Sequence, residues 1–398
     1  MAEIINRLLE IRFPNNDHDT IKSENIVAES MVITRSLCDG NFNLGGCIAT
    51  SCEIQLIGIL PDSIQGKRIQ VVATEQWYAD EAIYPSDTLT PGDKIYPGMH
   101  PLRSLGGRYF FTGTIDTAER QSNRQIVKAT AYDDLYILGN KNVYTWFYNF
   151  ALHSPDGKIT DLTSSILSSQ LSDLQYYNLH GRNGNDKIAL NLSASLVENK
   201  CKGNLLALDV LKAICELTNC FGYINEKGVY YVVDIKGNNA NAVSISTYES
   251  LSFEEYETQY FDIIVLSYGG NKQYVRGRKS TFKQPSCYYC KDNIIVNCCN
   301  NSSTVSVLGS NMADENTSRL LFSDYCYRPF SLKIDDNFAK DVKLGSKVKI
   351  ATGFSTGDVQ YVNSFVLKDR VTGIVNLTHE FSAEGEKIQT GYDSEAIQ

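Results

Sequence analysis

The sequence predicts an α+β protein that is rich in β-strands and carries one helical portion. Helix-forming residues are concentrated in a few segments, whereas β-branched and aromatic residues are spread along the whole chain. Tyr is the most abundant aromatic residue, with 24 Tyr against 16 Phe and 2 Trp, and Tyr suits half-buried strands and interfaces. The chain has 398 residues, which is enough for roughly two to four domains with well-buried cores.

The clearest helix lies within residues 204–234, directly before a tight hairpin. Its apolar residues recur at helical spacing and would form one wide stripe; they are Val210, Leu211, Ile214, Cys215 and Leu217. Asn219 stands where a helix can end in the left-handed conformation. Strand-type residues flank residues 225–228, where Gly228 suits a positive φ, and this pattern predicts a hairpin. Because so short a helix is unstable alone, its stripe must pack on the hairpin or on a nearby sheet.

The N-terminal third predicts an attachment segment followed by a first β-domain. Residues 1–22 form the attachment segment, in which residues 4–11 are expected to be a short helix that ends before Pro14. Residues 23–135 form the β-domain. Its strand-type runs lie within 31–36, 52–56, 67–72, 108–115 and 125–132. Residues 77–105 are polar and rich in Pro, which predicts a long loop at a subunit or partner contact.

An α/β domain is predicted over residues 136–247. Residues 135–172 are apolar and aromatic and favour helices, with Asp161 as a candidate cap. The helix and hairpin of residues 204–234 complete this portion.

A second β-domain is predicted over residues 248–386, before a flexible tail at 387–398. Its strand-type runs are 261–268, 344–350 and 364–370. We also expect a hairpin around residues 291–293 and a short helix at residues 314–321.

The chain has eleven cysteines, an odd number, and most of them, such as Cys215, stand inside apolar patterns. A large chain without an export signal does not need disulfides, so reduced, buried thiols are expected. One local cluster, Cys287, Cys290, Cys298 and Cys299, has the C-x₂-C spacing of zinc ligands. The second pair is adjacent, which makes tetrahedral ligation awkward. Four thiols at the ends of a hairpin are therefore favoured, although the sequence leaves open whether these four bind a metal.

Sequence signatures of catalysis are missing. The histidines are scattered, without HExxH or a Cys–His signature; they are His18, His100, His153, His180 and His379. Neither GxSxG nor a phosphate-loop pattern accompanies Gly45 and Gly46. The adjacent Glu254 and Glu255 would point apart on an exposed segment. His379 lies in a predicted strand, where a surface or hydrogen-bonded histidine is favoured over a ligand. The sequence predicts no enzyme, and no catalytic, cofactor-binding or metal site.

The charge and the apolar runs limit the classes of partner. A net charge of -9 should repel nucleic acid rather than bind it. The N-terminus lacks the apolar core of a signal peptide, and no run approaches the ~20 apolar residues of a membrane span. We therefore expect synthesis in a cytoplasm and no stable membrane binding.

Four separated stretches share an order with a known family. The first is the helix and hairpin of residues 204–234. The others carry Ser36, Leu37, Cys38, Asn41, Phe42, Gly46, Cys47 and Ala49; then Ser250, Leu251, Glu255 and Tyr256; then Tyr327, Arg328, Pro329, Leu344, Gly345, residues 364–370, Gly373, Glu384 and Gly385. In this order they resemble the phage tail baseplate hub and tail-associated protein family of Gram-positive phages and phage-tail-like particles. Ser346 stands where the family usually has Asp.

The resemblance implies two tail-tube-like β-barrels with an inserted α/β portion. It implies a homotrimer located in the virion, at the tail tip or baseplate, and synthesised in the host cytoplasm. Its partners would be the tail tube or distal tail protein, the tape measure protein and the tip or spike protein, with DNA only in transit through the lumen. Two alternatives stay open, a glycan-binding tail protein and a cell-wall peptidase.

Overall fold

A computed structural model describes most of the chain, and every structural statement concerns its described residues. These are residues 4–15, 18–39, 42–78, 102–122, 125–170, 174–177, 184–234, 242–256, 258, 263–268, 271–276, 287–290, 292–313, 327–355, 358–373 and 376–385.

Strands supply most of the regular structure. They are β1 Ile4–Arg12, β2 Ile21–Lys22, β3 Val32–Ser36, β4 Ser51–Ile57, β5 Arg68–Tyr78, β6 Leu102–Arg120, β7 Ile126–Tyr132, β8 Gln175–Tyr177, β9 Phe221–Ile224, β10 Val229–Val233, β11 Val243–Ile245, β12 Ser250–Phe253, β13 Ile263–Tyr268, β14 Asn271–Arg276, β15 Cys287–Cys290, β16 Phe330–Asp335, β17 Lys347–Ser355, β18 Asp358–Phe365, β19 Lys368–Thr372 and β20 Thr378–Ala383.

The helices lie mainly in the middle of the chain. They are α1 Pro61–Ile64, α2 Asp134–Leu138, α3 Tyr144–His153, α4 Ile159–Gln170, α5 Ala194–Cys201, α6 Ala207–Leu217, α7 Ile294–Asn297, α8 Ser302–Met312 and α9 Asp336–Ala339. The chain is therefore α+β and rich in strands, as its sequence predicts. None of the helices in the described ranges is long and apolar enough to cross a membrane.

The chain forms two compact units, each made of separated segments. Unit 1 comprises residues 1–33, 52–131 and 371–378. Its strands hydrogen-bond in the order β3-β4-β7-β6-β5-β1-β2, and the long β5 pairs antiparallel with β1 on one side and with β6 on the other. Alternate residues of β4 and β7 are buried, as their period-two patterns predict.

Unit 2 comprises residues 34–51, 132–370 and 379–398. Its strands form the order β12-β16-β20-β19 and the sheets β8-β10-β9, β11-β17-β18 and β14-β13-β15. Helix α6 buries its predicted stripe in a large apolar core, together with strands β9 and β10 of the hairpin. The predicted helix end and turn are confirmed, because φ is 57° at Asn219 and 80° at Gly228.

Three local predictions are wrong. Residues 4–11 form strand β1, because this run pairs antiparallel with β5 from Ile4 to Arg12, with one irregularity between Ile4 and Asn6. No hairpin surrounds residues 291–293, since Asn293 accepts hydrogen bonds from Ile295 and Val296 and starts helix α7. The predicted strand 364–370 is broken between β18 and β19, where Val366 and Leu367 bond Ser346 and Ser382 instead.

Two turn residues have different roles from those expected. Asp161 lies inside the first turn of α4 rather than before it, and its carboxylate accepts a hydrogen bond from the Lys158 N–H at 2.9 Å. Ser346, in the position of the usual Asp, accepts from the Lys343 N–H at 3.0 Å, so the turn before β17 keeps its side-chain acceptor.

The predicted helix at 314–321 and most of the predicted loop 77–105 lie outside the described residues.

Candidate functional sites

A polar cleft of about 760 Å³ opens in unit 2. Its walls are segment 36–47, helix α6 and the chain that follows β15. Carboxyl groups outnumber cations among its charged side chains, which are Asp39, Asp209, Lys212, Glu216 and Asp292. Such a cleft is unfavourable for anions such as phosphate.

Two glycines bring segment 36–47 against α6 and β9. The Gly45 N–H donates to the Cys220 carbonyl at 3.0 Å, and the Gly222 N–H donates to the Gly46 carbonyl at 2.9 Å. Gly45 has φ of +80°, and a Cβ at Gly46 would stand 1.8 Å from the Leu37 carbonyl oxygen. The glycine pair is therefore required for close backbone packing.

Glu216 lies at the base of this cleft and is held by side chains of two other segments. The Asn293 amide donates to Glu216 Oε2 at 2.8 Å, while Tyr288 Oη lies 2.9 Å from Glu216 Oε1 and 2.9 Å from Asn43 Oδ1. The thiol of Cys290 also hydrogen-bonds this carboxyl group. Burial raises the pKa of Glu216, and the hydrogen bonds from Asn293, Cys290 and Tyr288 only partly oppose that rise.

The cleft does not contain an activated nucleophile among its described residues. Cys38 is its thiol, and burial raises the pKa of Cys38 to about 12, so the thiol stays protonated at neutral pH. No histidine is among the described residues of the cleft wall. These side chains can bind through hydrogen bonds and charge, but they are not arranged for attack on a carbonyl group.

The three clustered cysteines whose side chains are described do not form one site. Cys290 is buried against Glu216, whereas Cys298 hydrogen-bonds the thiol of Cys201 and Cys299 donates to the Ile295 carbonyl at 3.2 Å. The Cys287 side chain lies outside the described residues. Among the part of the chain that is described, no group of three or more His, Cys, Asp or Glu side chains could hold a metal ion.

A second polar site is a buried ion cluster around His379. Its Nδ1 lies 2.8 Å from Asp369 Oδ1 and its Nε2 lies 3.0 Å from Asp336 Oδ1. Arg35 donates to the other oxygen of Asp369 at 3.0 Å and is 3.8 Å from the half-exposed Glu226 of the β9–β10 turn. Strands β3, β19 and β20, helix α9 and the hairpin turn therefore meet through one set of charges.

His379 is positively charged inside this cluster. Burial alone would lower the pKa of His379, but the two carboxylates that bracket its ring raise it to about 9. Burial would likewise raise the pKa of Asp369, yet His379 and Arg35 hold it below its usual range. Among the buried groups, the cations Arg35 and His379 balance the carboxylates Asp336 and Asp369, and a buried charge needs such pairing.

The structure describes three of the five histidines, and their surroundings differ. His379 is hydrogen-bonded within a strand, as the sequence predicts. His18 contacts the Asp19 carbonyl and the Phe13 ring, and His153 is exposed at the end of α3. His100 and His180 lie outside the described residues.

Sequence reasoning missed Glu216, Asp336 and Asp369. The sequence does contain a signal for the ion cluster. Asp369 is two residues from Val371 and His379 is two residues from Phe381, so each charged residue shares a buried strand face with an apolar one. A charged residue at an inward position of a strand needs an opposite charge. No comparable signal marks Glu216, which occupies a polar position beside the apolar stripe of α6.

The fold connects the chain with known proteins. No protein-family model and no curated protein matches the sequence. Among solved structures, the tail protein from Neisseria meningitidis MC58 matches with a TM-score of 0.51 and 10% identity, covering 97% of this chain and 98% of that one. The 43 kDa tail protein of prophage MuSo2 from Shewanella oneidensis matches with a TM-score of 0.51 and 9% identity, covering 95% and 97%. The resemblance to phage tail proteins is thus confirmed at the level of the fold, which this chain shares over nearly its whole length.

Proposed function

We propose that this chain is a structural hub of a phage tail tip or baseplate, or of a contractile phage-tail-like particle. The observation that carries the proposal is the end-to-end match of its fold to two tail proteins of similar length. Each match covers nearly all of this chain and nearly all of the tail protein, so it extends well beyond a single common motif. Its location would be the tail of the virion, after synthesis in the host cytoplasm.

The proposed mechanism is symmetry matching. Each chain would contribute two small β-barrels, and three chains would place six barrels in a ring that joins a sixfold tail tube to a threefold tip. Antiparallel strand pairs in each of the two units, β1–β5–β6 in unit 1 and β12–β16 and β17–β18 in unit 2, support this division of the chain. The neighbours would be the tail tube or distal tail protein, the tape measure protein and the tip or spike protein.

We further propose that the chain acts without turnover and without a cofactor. The protonated Cys38 in the polar cleft argues against the peptidase alternative, which needs an activated nucleophile or a metal in a cleft. The net charge of -9 suits a lumen through which DNA passes without adhering. A strongly basic channel in the assembled ring would contradict that part of the proposal.

Electron microscopy of the purified full-length chain tests the proposal. We expect rings with threefold symmetry and a central hole, together with no release of soluble fragments from cell-wall preparations. Particles that stay monomeric and bind cell-wall glycan would contradict the hub and favour the glycan-binding alternative. A ring that cleaves cell wall would overturn the claim that the chain works without turnover.

A further inference from the structure

Tyr288 lies between two acceptors but has one hydroxyl proton to donate. Its Oη is 2.9 Å from Glu216 Oε1 and 2.9 Å from Asn43 Oδ1. If Glu216 is ionised, Tyr288 can satisfy only one of these oxygens, and the other oxygen–oxygen contact has no hydrogen. If Glu216 carries a proton, it donates to Tyr288 and Tyr288 donates to Asn43, so both contacts become hydrogen bonds.

The remaining partners of Glu216 are compatible with the protonated form. Asn293 Nδ2 has two hydrogens and uses them on Glu216 Oε2 and on the Ala213 carbonyl, at 2.8 and 3.0 Å. None of the described hydrogen-bond partners of Glu216, which are Asn293, Cys290 and Tyr288, is a guanidinium or an imidazole. A carboxyl group in such surroundings is more stable when neutral.

We propose that Glu216 keeps its proton in the folded protein at a pH where exposed glutamates are ionised, and that this proton links segment 36–47 to helix α6 through Tyr288. Asn43 belongs to the segment that forms one wall of the polar cleft. Loss of the proton removes one hydrogen bond from the chain Glu216–Tyr288–Asn43 and loosens that wall. The proposal is independent of the tail-tip function.

The other charged groups that line the cleft influence whether Glu216 is protonated or ionised. Lys212 on α6 favours the ionised form, whereas Asp209 on α6, Asp39 on segment 36–47 and Asp292 after β15 disfavour it. The thiols of Cys290 and Cys38 remain neutral, because burial raises the pKa of each. Because the pKa of Glu216 is raised on folding, the link is complete below about pH 4.5, the usual value for this residue, and is lost as pH rises through the folded value.

Hydrogen exchange of the full-length chain tests the link through peptides that contain residues 44–47. In the variant E216Q the carboxamide supplies an N–H to Tyr288 at every pH. We expect exchange in the wild type to become faster than in E216Q as pH rises, by up to about tenfold per pH unit between the unfolded and the folded pKa of Glu216, and the difference to level off above the folded pKa. The matched control E198Q changes an exposed glutamate of α5 and should follow the wild type.

Equal exchange in the wild type and E216Q from about pH 5 to 9 would overturn the proposal. It would mean that no loss of a proton from Glu216 loosens segment 36–47 in this range, as expected if Glu216 is ionised throughout and the Asn43 amide is turned to donate to Tyr288. Carbon-13 NMR of labelled glutamate carboxyl groups in the wild type gives an independent answer if E216Q does not fold. The link is supported if one carboxyl group has a higher pKa than all the others and if this pKa shifts in Y288F. Uniform pKa values for all glutamates contradict the link.

Discussion

The side chain of His379 connects its own strand to two other elements of unit 2. Its ring nitrogens contact carboxylates on β19 and α9 while its own backbone lies in β20. Its ring also stacks on Phe381, with centroids 5.2 Å apart. The imidazolium compensates two buried carboxylates, so its removal would leave buried negative charge without its partner.

Replacing His379 by Leu should lower the free energy of unfolding by about 3–5 kcal/mol, the range for removing one partner of a buried ion pair. Asp336 would lose a partner at Oδ1, while Arg35 would still neutralise Asp369. The control H153L changes an exposed histidine and should cost less than about 0.5 kcal/mol. Denaturant unfolding measures both values, and equal midpoints for the two variants would contradict the assigned cluster.

The same cluster predicts a dependence of stability on pH. Because the pKa of His379 rises on folding from 6.5 to about 9, its contribution is complete below about pH 6.5 and is lost as pH rises towards 9. The loss should be on the order of 3 kcal/mol, from 1.36 kcal/mol per pKa unit. The stability difference between the wild type and H379L should therefore shrink over this range. A constant difference would show that His379 is not protonated in the folded state.

For single residues, the sequence predicted the setting of His379 but not its partners in the ion cluster. It indicated correctly that His379 is a hydrogen-bonded residue of a strand. It could not reveal which carboxylates bracket the ring, because Asp336 and Asp369 are 43 and 10 residues away in the chain. Only the tertiary pairing of β19 with β20 and the start of α9 bring them together.

Among the elements, segment 36–47 depends most strongly on its exact residues. Its glycines hydrogen-bond Cys220 and Gly222, before and within β9, Gly45 packs closely against α6, and Phe42 packs edge-on against Phe221. The segment also supplies Asn43 to the polar cleft. A side chain in the glycine positions would therefore disturb both the packing and the cleft.

Replacing Gly46 by Ala should destabilise the protein by about 1–3 kcal/mol or more, the usual cost of overpacking. The new Cβ would stand 1.8 Å from the Leu37 carbonyl oxygen, so the backbone must move. Gly353→Ala is a matched control, because a Cβ there meets nothing within 4 Å. Thermal unfolding compares the two variants, and an unaffected G46A protein would show that the backbone of Gly46 does not approach the Leu37 carbonyl as described.

The elements were predicted well where the pattern was periodic and local. Helix α6, the β9–β10 hairpin and strands β3, β4 and β7 follow directly from spacing and turn residues. Strand β1 was predicted as a helix because its run of Ile and Leu also fits helical spacing, and only pairing with the distant β5 decides for a strand. The start of α7 was missed because Asn293 was interpreted as a turn residue rather than a helix cap.

For the whole molecule, the α+β class follows from composition and from the order of the elements. The resemblance to phage tail proteins, carried by four short stretches, agrees with a fold match at 10% identity. The composition of the two units could not be predicted, since each unit joins segments up to hundreds of residues apart. Such long-range pairing leaves no periodic signal in the sequence.

The molar mass of the purified full-length chain, measured by light scattering over a range of concentrations, tests the hub most directly. A trimeric hub predicts a species near three times 44.4 kDa that persists on dilution. A strictly monomeric wild-type chain at the highest concentration would contradict the claim that this protein forms the ring by itself.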